Sequence, residues 1–450
     1  MGITERLAQF VVETAYQDIA PEVLRAAKRA MLDTLGVMLA GSREPVGKAI
    51  TSFVRGMGGR PRAVVVGAGF RTSPTNAALA NGTMGHALDY DDVFWATTGH
   101  PSVVLLPSVF AIGENSRVSG KVLLEAFILG FEIECRLASA GMEPRLAGFH
   151  PTAIYGSIGA AVAGAKVLGL GVEETRMVLG LAASHASGLG RNRGTMTKPY
   201  HAGNAARSGV IAALLVKHGF TAAKDLLEGS GGFCAAFGGD VKLQVGNIAD
   251  KLGSPYLIVS PGVSVKKYPT CFATHRCIDA VLQLINSHQF MADDVTEVEC
   301  QTGTMIRDIL VFDEPVTYLQ AKFSMQFCVA IALLERNVGL LQVTDEKVNE
   351  PKVRQLMKRV RLRYVDQPLA QSDTVKVRLY DGRQYCVSVR KPKGDCELPL
   401  TDEEIVSKYR DCAGAVLPKS QVEKSLELIL NLEQLEHTNE LADVVANIDT

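Results

Sequence analysis

The hydrophobic period of the chain changes once, near residue 260, and that change limits what the chain can fold into. From residue 1 to about 255 apolar side chains recur at helical spacing. In "PEVLRAAKRAMLDTLGVMLAGS" (21–42), Val23, Leu24, Ala27, Met31, Leu32 and Leu35 fall close to a 3.6 period, and Gly41 stands near the end. "NAALANGTMGHAL", "SVVLLPSVFAIGEN" and "AGNAARSGVIAALLVKHG" continue the pattern, and the short "RAVVVG" (62–67) is the only strand run expected in this half. After residue 260 the period drops to two. "VTEVECQT" (295–302) and "RVRLRYV" (359–365) alternate, and "DTVKVRLYDGRQYCVSVR" (373–390) reads as a hairpin turning at Asp381-Gly382. The tail is helical again. The expected architecture is a large all-α helical domain, residues 1–258 and 403–450, plus a smaller α+β domain, residues 259–402.

The glycines, 42 in all, cluster with alanines in runs such as "GSIGAAVAGAKVLGLG" (156–171), which predicts helices packed at close range. A net charge of -1 offers no footprint for nucleic acid or an anionic membrane. Nine scattered cysteines, an odd number with no C-x-x-C, argue against a disulfide framework or thiolate zinc site and for a reducing, cytoplasmic setting. The start of the chain carries Glu5, Arg6, Glu13 and Asp18, unlike a signal peptide. The most apolar run, residues 122–141, is interrupted by Glu125, Glu132, Glu134 and Arg136, so a buried helix is expected there and no membrane span. There is no P-loop, G-x-S-x-G elbow or H-E-x-x-H, which leaves acid–base chemistry with no cofactor and no metal as the expectation.

Three basic residues precede proline and then a helical run: His100 in "GHPSVVLLP", His150 in "FHPTAIYGSIG" and Lys198 in "TKPYHAGNAARSG". The residue before proline is pushed out of the α region, and proline is welcome in a first helical turn. Each of the three is therefore expected at a helix N-terminus. Unpaired N–H groups there attract carboxylates and disfavour a protonated His or Lys. Three such ends, if they converge, suit a small acid with several carboxylates. His86 and Asp89, three apart, could be metal ligands on one helix face or a hydrogen-bonded pair; Asp91 and Asp92 are expected to cap the next element or hold its loop. A second cluster in "KKYPTCFATHRCIDAV" contains Lys266, Lys267, His275 and Arg276. Lys266, His201 and Tyr268 are expected to bind substrate.

Five stretches in order resemble the MmgE/PrpD family: "NGTMGHALDYDDVFWATTGHPSVVLLP", "AGFHPTAIYGSIGAAVAGAKVLGL", "GTMTKPYHAGNAARSG", "YPTCFATHRCIDA" and "AKFSMQFCVAIAL". The resemblance implies a helical domain with a lid-like α+β domain, a homodimer, and an active site between domains. Carried over by position, it implies catalytic roles for Asp89, His100, His150, Lys198 and His275. It implies a cofactor-free lyase, dehydrating or decarboxylating a small di- or tricarboxylate through an enolate-like intermediate. An epimerase of a small dicarboxylate would use the same intermediate, and a helical binding protein with no catalysis is the third reading. The "TKPYHAGN" stretch is similar to the decarboxylase and epimerase branch. Val93 and Phe327 stand where that branch's decarboxylases suggest Thr and Tyr, and the lost hydroxyls favour epimerisation.

Overall fold

The computed structural model describes residues 1–96, 98–140, 144–145, 147–238, 248–367 and 371–446. The chain forms two compact units. The first comprises Met1–Arg191, Thr197–Val265 and Thr401–Thr450; the second comprises Asn192–Met196 and Lys266–Leu400. The first unit runs on to Val265 because Val93 and Ser264 exchange both backbone hydrogen bonds, at 2.8 and 2.9 Å.

The first unit opens with helices α1 (Ile3–Glu13), α2 (Pro21–Gly41) and α3 (Pro45–Met57). A two-stranded antiparallel hairpin follows, β1 (Ala63–Val65) and β2 (Phe70–Thr72). The second of these strands is too short and too mixed in pattern to stand out in the sequence. Next come α4 (Pro74–Gly85), α5 (Ser102–Ser116), α6 (Gly120–Ser139) and α7 (Pro151–Val167). α8 (Val172–Ala183), α9 (Thr197–Lys217) and α10 (Phe233–Gly238) complete this stretch.

α9 packs directly on both α4 and α7, and small residues allow it. A Cβ on Gly203 would overlap Leu79 O and Thr83 Oγ1 of α4, and one on Gly209 would overlap Ala160 of α7. Gly203→Ala is therefore expected to cost about 1–3 kcal/mol, because the obstacle is backbone rather than a movable side-chain tip. Chemical denaturation measures it; an unchanged midpoint would contradict the close approach.

The second unit holds α11 (His275–His288), α12 (Met305–Ile309), α13 (Tyr318–Ala321), α14 (Met325–Glu335), α15 (Asp345–Val348) and α16 (Pro351–Met357). Its sheet contains β3 (Val295–Gly303), β4 (Val360–Val365), β5 (Asp373–Leu379) and β6 (Gln384–Val389), in the order β4-β3-β5-β6. β3 and β4 are parallel, so the chain between them makes a helical crossover; the other pairs are antiparallel. The hairpin forms as expected, with Val375 opposite Val387 and Gly382 at φ 88° in the turn. Val375, Val377 and Leu379 point into the core, while edge strand β6 is only half covered.

α17 (Asp402–Gly414), α18 (Lys419–Leu430) and α19 (Asn439–Val445) return to the first unit, where α17 lies along α2. No helix among the described residues is long and apolar enough to cross a membrane. α6 is a buried helix; its Glu125 pairs with Lys166 at 2.6 Å and its Glu132 with Arg136 at 2.7 Å.

Candidate active site

The sequence places four helix ends around one point of the first unit. His86 caps the C-terminus of α4, and His100 lies two residues before α5. His150 is the N-cap of α7, and Lys198 is the second residue of α9. The packing of α9 on α4 and α7 carries Lys198 to the other two ends. His100 is tied to the same place by its N–H, which donates to Thr152 Oγ1 of α7 at 3.1 Å.

Lys198 Nζ donates to Asp89 Oδ1 at 2.5 Å and lies 2.7 Å from His86 Nε2. His86 Nδ1 is 2.7 Å from Asp91 Oδ2. His100 Nδ1 lies 3.1 Å from the same oxygen, off the line of a well-aligned hydrogen bond. His150 Nδ1 meets His201 Nδ1 at 3.2 Å, and the His86 and His150 rings stack with centroids 5.7 Å apart. Asp89 adopts φ 51°, a left-handed conformation that Asp and Asn tolerate better than most residues. All seven groups are buried.

His86, Asp89 and His100 offer donor atoms within 4.8 Å of one another, an arrangement suited to a cation. The chain supplies that cation itself, since the Lys198 ammonium already bonds two of the three. Burial pushes the His86 imidazole down to about 3, with Lys198 and His100 adding to the push and Asp91 opposing it. Burial and Lys198 also hold His150 well below its ordinary value, and His201 down at about 4. For Asp91 burial acts upward, but the two imidazoles outweigh it and hold the carboxyl well below the usual range.

Asp92 differs. Its carboxylate accepts from Ser102 N at 3.3 Å and from Ser102 Oγ, capping α5. Burial pushes it up to about 8, against the ordinary 3.8, although the Ser102 hydrogen bonds oppose the shift. Between pH ~4 and ~8 the folded chain keeps a proton that the unfolded chain has released. The stabilisation is whole below pH ~4 and is lost as pH rises toward ~8. Relative to Asp92→Asn, the wild type is expected to lose up to about 1.4 kcal/mol per pH unit in that window. Parallel stability curves for the two proteins would contradict a buried neutral Asp92.

Of the residues expected from sequence, Asp89, His100, His150, Lys198 and His201 come together here. Lys266, Tyr268 and His275 belong to the second unit, where the His275 ring lies between Tyr268 and Phe272, at centroid distances of 5.0 and 4.7 Å. His86 and Asp91 were not assigned to the site from sequence. The five-residue spacing between them, across a left-handed turn, matches no helical or strand periodicity. Asp89 was expected to orient a histidine; the carboxylate set against the imidazoles is Asp91, while Asp89 bonds Lys198. Phe327 stands where the family resemblance suggests Tyr. It is fully buried in the second unit's apolar core, on the first turn of α14, where packing rather than proton transfer uses the ring.

The chain belongs to the MmgE/PrpD family: the family's N-terminal domain profile matches residues 5–245 and its C-terminal domain profile matches residues 268–434. Among curated proteins it is similar to cis-aconitate decarboxylase of Mus musculus, 29% identical over 97% of this chain and 91% of the relative. The Homo sapiens cis-aconitate decarboxylase is 29% identical over 99% of this chain and 94% of the relative. The Aspergillus terreus enzyme of the same name is 27% identical over 99% and 96%.

Proposed function

We propose that this chain is a cofactor-free lyase acting on a small tricarboxylate, with decarboxylation of cis-aconitate as the first reaction to test. The observation that carries the reading is the Lys198 ammonium, held by Asp89 and His86 where helix ends meet, in a chain that aligns with cis-aconitate decarboxylases over nearly its whole length.

In such a reaction the bond to a carboxylate carbon breaks and carbon dioxide leaves. The electron pair passes through the adjacent C=C toward a remaining carboxylate, giving enolate character, and one proton from the enzyme ends on carbon. Lys198 stabilises the developing negative charge in a dry setting, where a fixed cation acts strongly. The N–H groups at the start of α7 add to it. His100 and His150 are the groups to move the proton. Lys266, Tyr268 and His275 enter the proposal through the family resemblance alone, as grips on a distal carboxylate. The resemblance also points to a homodimer, which light scattering checks.

Proton NMR in deuterated water, with a panel of small di- and tricarboxylates, tests the reading. Loss of carbon dioxide or water from one of them supports a lyase. Deuterium wash-in with no new product would replace it with the epimerase reading, which the absent hydroxyl at Val93 favours. Turnover is expected to survive exhaustive treatment with a chelator.

A further inference from the structure

Asp91 Oδ2 faces two imidazoles at once, His86 Nδ1 at 2.7 Å and His100 Nδ1 at 3.1 Å. Asp91 is 0% exposed and reaches nothing outside the protein. At His86 a bare Nδ1 would set lone pair against lone pair, and at His100, even off line, the carboxylate charge 3.1 Å away favours N–H over a lone pair, so each Nδ1 is assigned its proton. We infer that Asp91 is a positioning residue that fixes His86 and His100 in the same tautomer, Nδ1 protonated, with both Nε2 atoms turned away from it.

The two rings then diverge in task. His86 Nε2 meets Lys198 Nζ at 2.7 Å and accepts from the ammonium, so His86 aims the lysine and takes no proton. The contact at His100 Nδ1 turns its Nε2 away from Asp91. A proton gained there makes an imidazolium whose other nitrogen faces the carboxylate. One shared oxygen thus leaves His86 as a prop for the lysine and orients His100, a proton carrier of the proposed reaction. The off-line geometry at His100 fits a contact that tightens only when substrate binds. The outer-shell logic is that of a carboxylate orienting a functional histidine, here doubled on one atom.

The division of labour rests on the lyase reading above; the tautomers do not. The test is two-bond 1H–15N correlation on protein labelled in histidine, with His86→Asn and His100→Asn variants assigning the two rings. Both rings of the resting wild type are expected to show protonated Nδ1 and bare Nε2. Either ring protonated at Nε2 instead would overturn the inference, and this requires no substrate. For turnover, Asp91→Asn is expected to lower kcat roughly a hundred- to ten-thousand-fold while KM changes by less than about threefold, because Asp91 touches the rings and not the substrate. The same variant is expected to return an Nε2–H signal at one ring or both, which a merely structural role would not produce. A kcat within about threefold of wild type, or unchanged tautomers in a folded Asp91→Asn protein, would overturn it.

Discussion

Lys198→Met is expected to lower kcat/KM by roughly 10²–10³-fold, the range seen when a single charge-stabilising donor is removed from an enzyme site. The ammonium is the cation of a cluster that otherwise contributes two carboxylates, Asp89 and Asp91. Methionine keeps the length and the apolar stem but removes the charge, so an anionic substrate would meet an uncompensated negative wall. The loss should fall on kcat at least as much as on KM, since negative charge grows on the way to the transition state. Folding must be separated from chemistry, because Asp89 loses a buried ion pair with side chains only 8% and 5% exposed. Asp89→Asn combined with Lys198→Met removes both charges, and Asn tolerates the left-handed turn at φ 51°. The double variant is expected to recover stability and not activity. A folded Lys198→Met protein keeping more than about a tenth of wild-type kcat/KM would sink the assigned role.

The positions of the helix ends were legible because proline punctuates them. His150 is extended and caps α7 with Pro151 opening the helix, and His100-Pro101 stands just before α5, whereas Lys198 is already helical, because α9 starts one residue earlier at Thr197. The change from period 3.6 to period 2 likewise separated the helical unit from the mixed one. The allotment of partners was not legible. Nothing in the spacing of Asp89, Asp91 and Asp92 says that the first takes the lysine, the second the histidines and the third the start of α5. That choice is made by the left-handed turn at Asp89 and by α9 arriving from more than a hundred residues away. Phe327, read from sequence for the hydroxyl it lacks, is a core residue of α14, a helix buried nearly all round.

The least legible support of the site is Lys408, on α17. Its Nζ lies 2.6 Å from Asp33 Oδ1 on α2, donates to Tyr90 O at 2.8 Å and sits 3.7 Å from the Tyr90 ring centroid. Tyr90 stands between Asp89 and Asp91, so α17 holds the backbone of the site loop across 318 residues of sequence. Lys408→Met leaves the Asp33 carboxylate, 2% exposed, without that counter-charge. Breaking a buried pair from one side costs about 3–5 kcal/mol, which corresponds to a Tm lowered by on the order of 10 °C. Replacing both partners with apolar residues, Asp33→Leu with Lys408→Met, removes the buried charges together and is expected to restore most of the stability. Activity should not follow. The double variant does not restore the Lys408 hydrogen bond to the Tyr90 carbonyl, so the loop that sets Asp89 against Lys198 and Asp91 against the histidines loses that tie to α17. Calorimetry and kcat on the same preparations separate the two effects. Full activity in the stable double variant would show that α17 supports the fold alone and leaves the geometry of the site loop to its own turn.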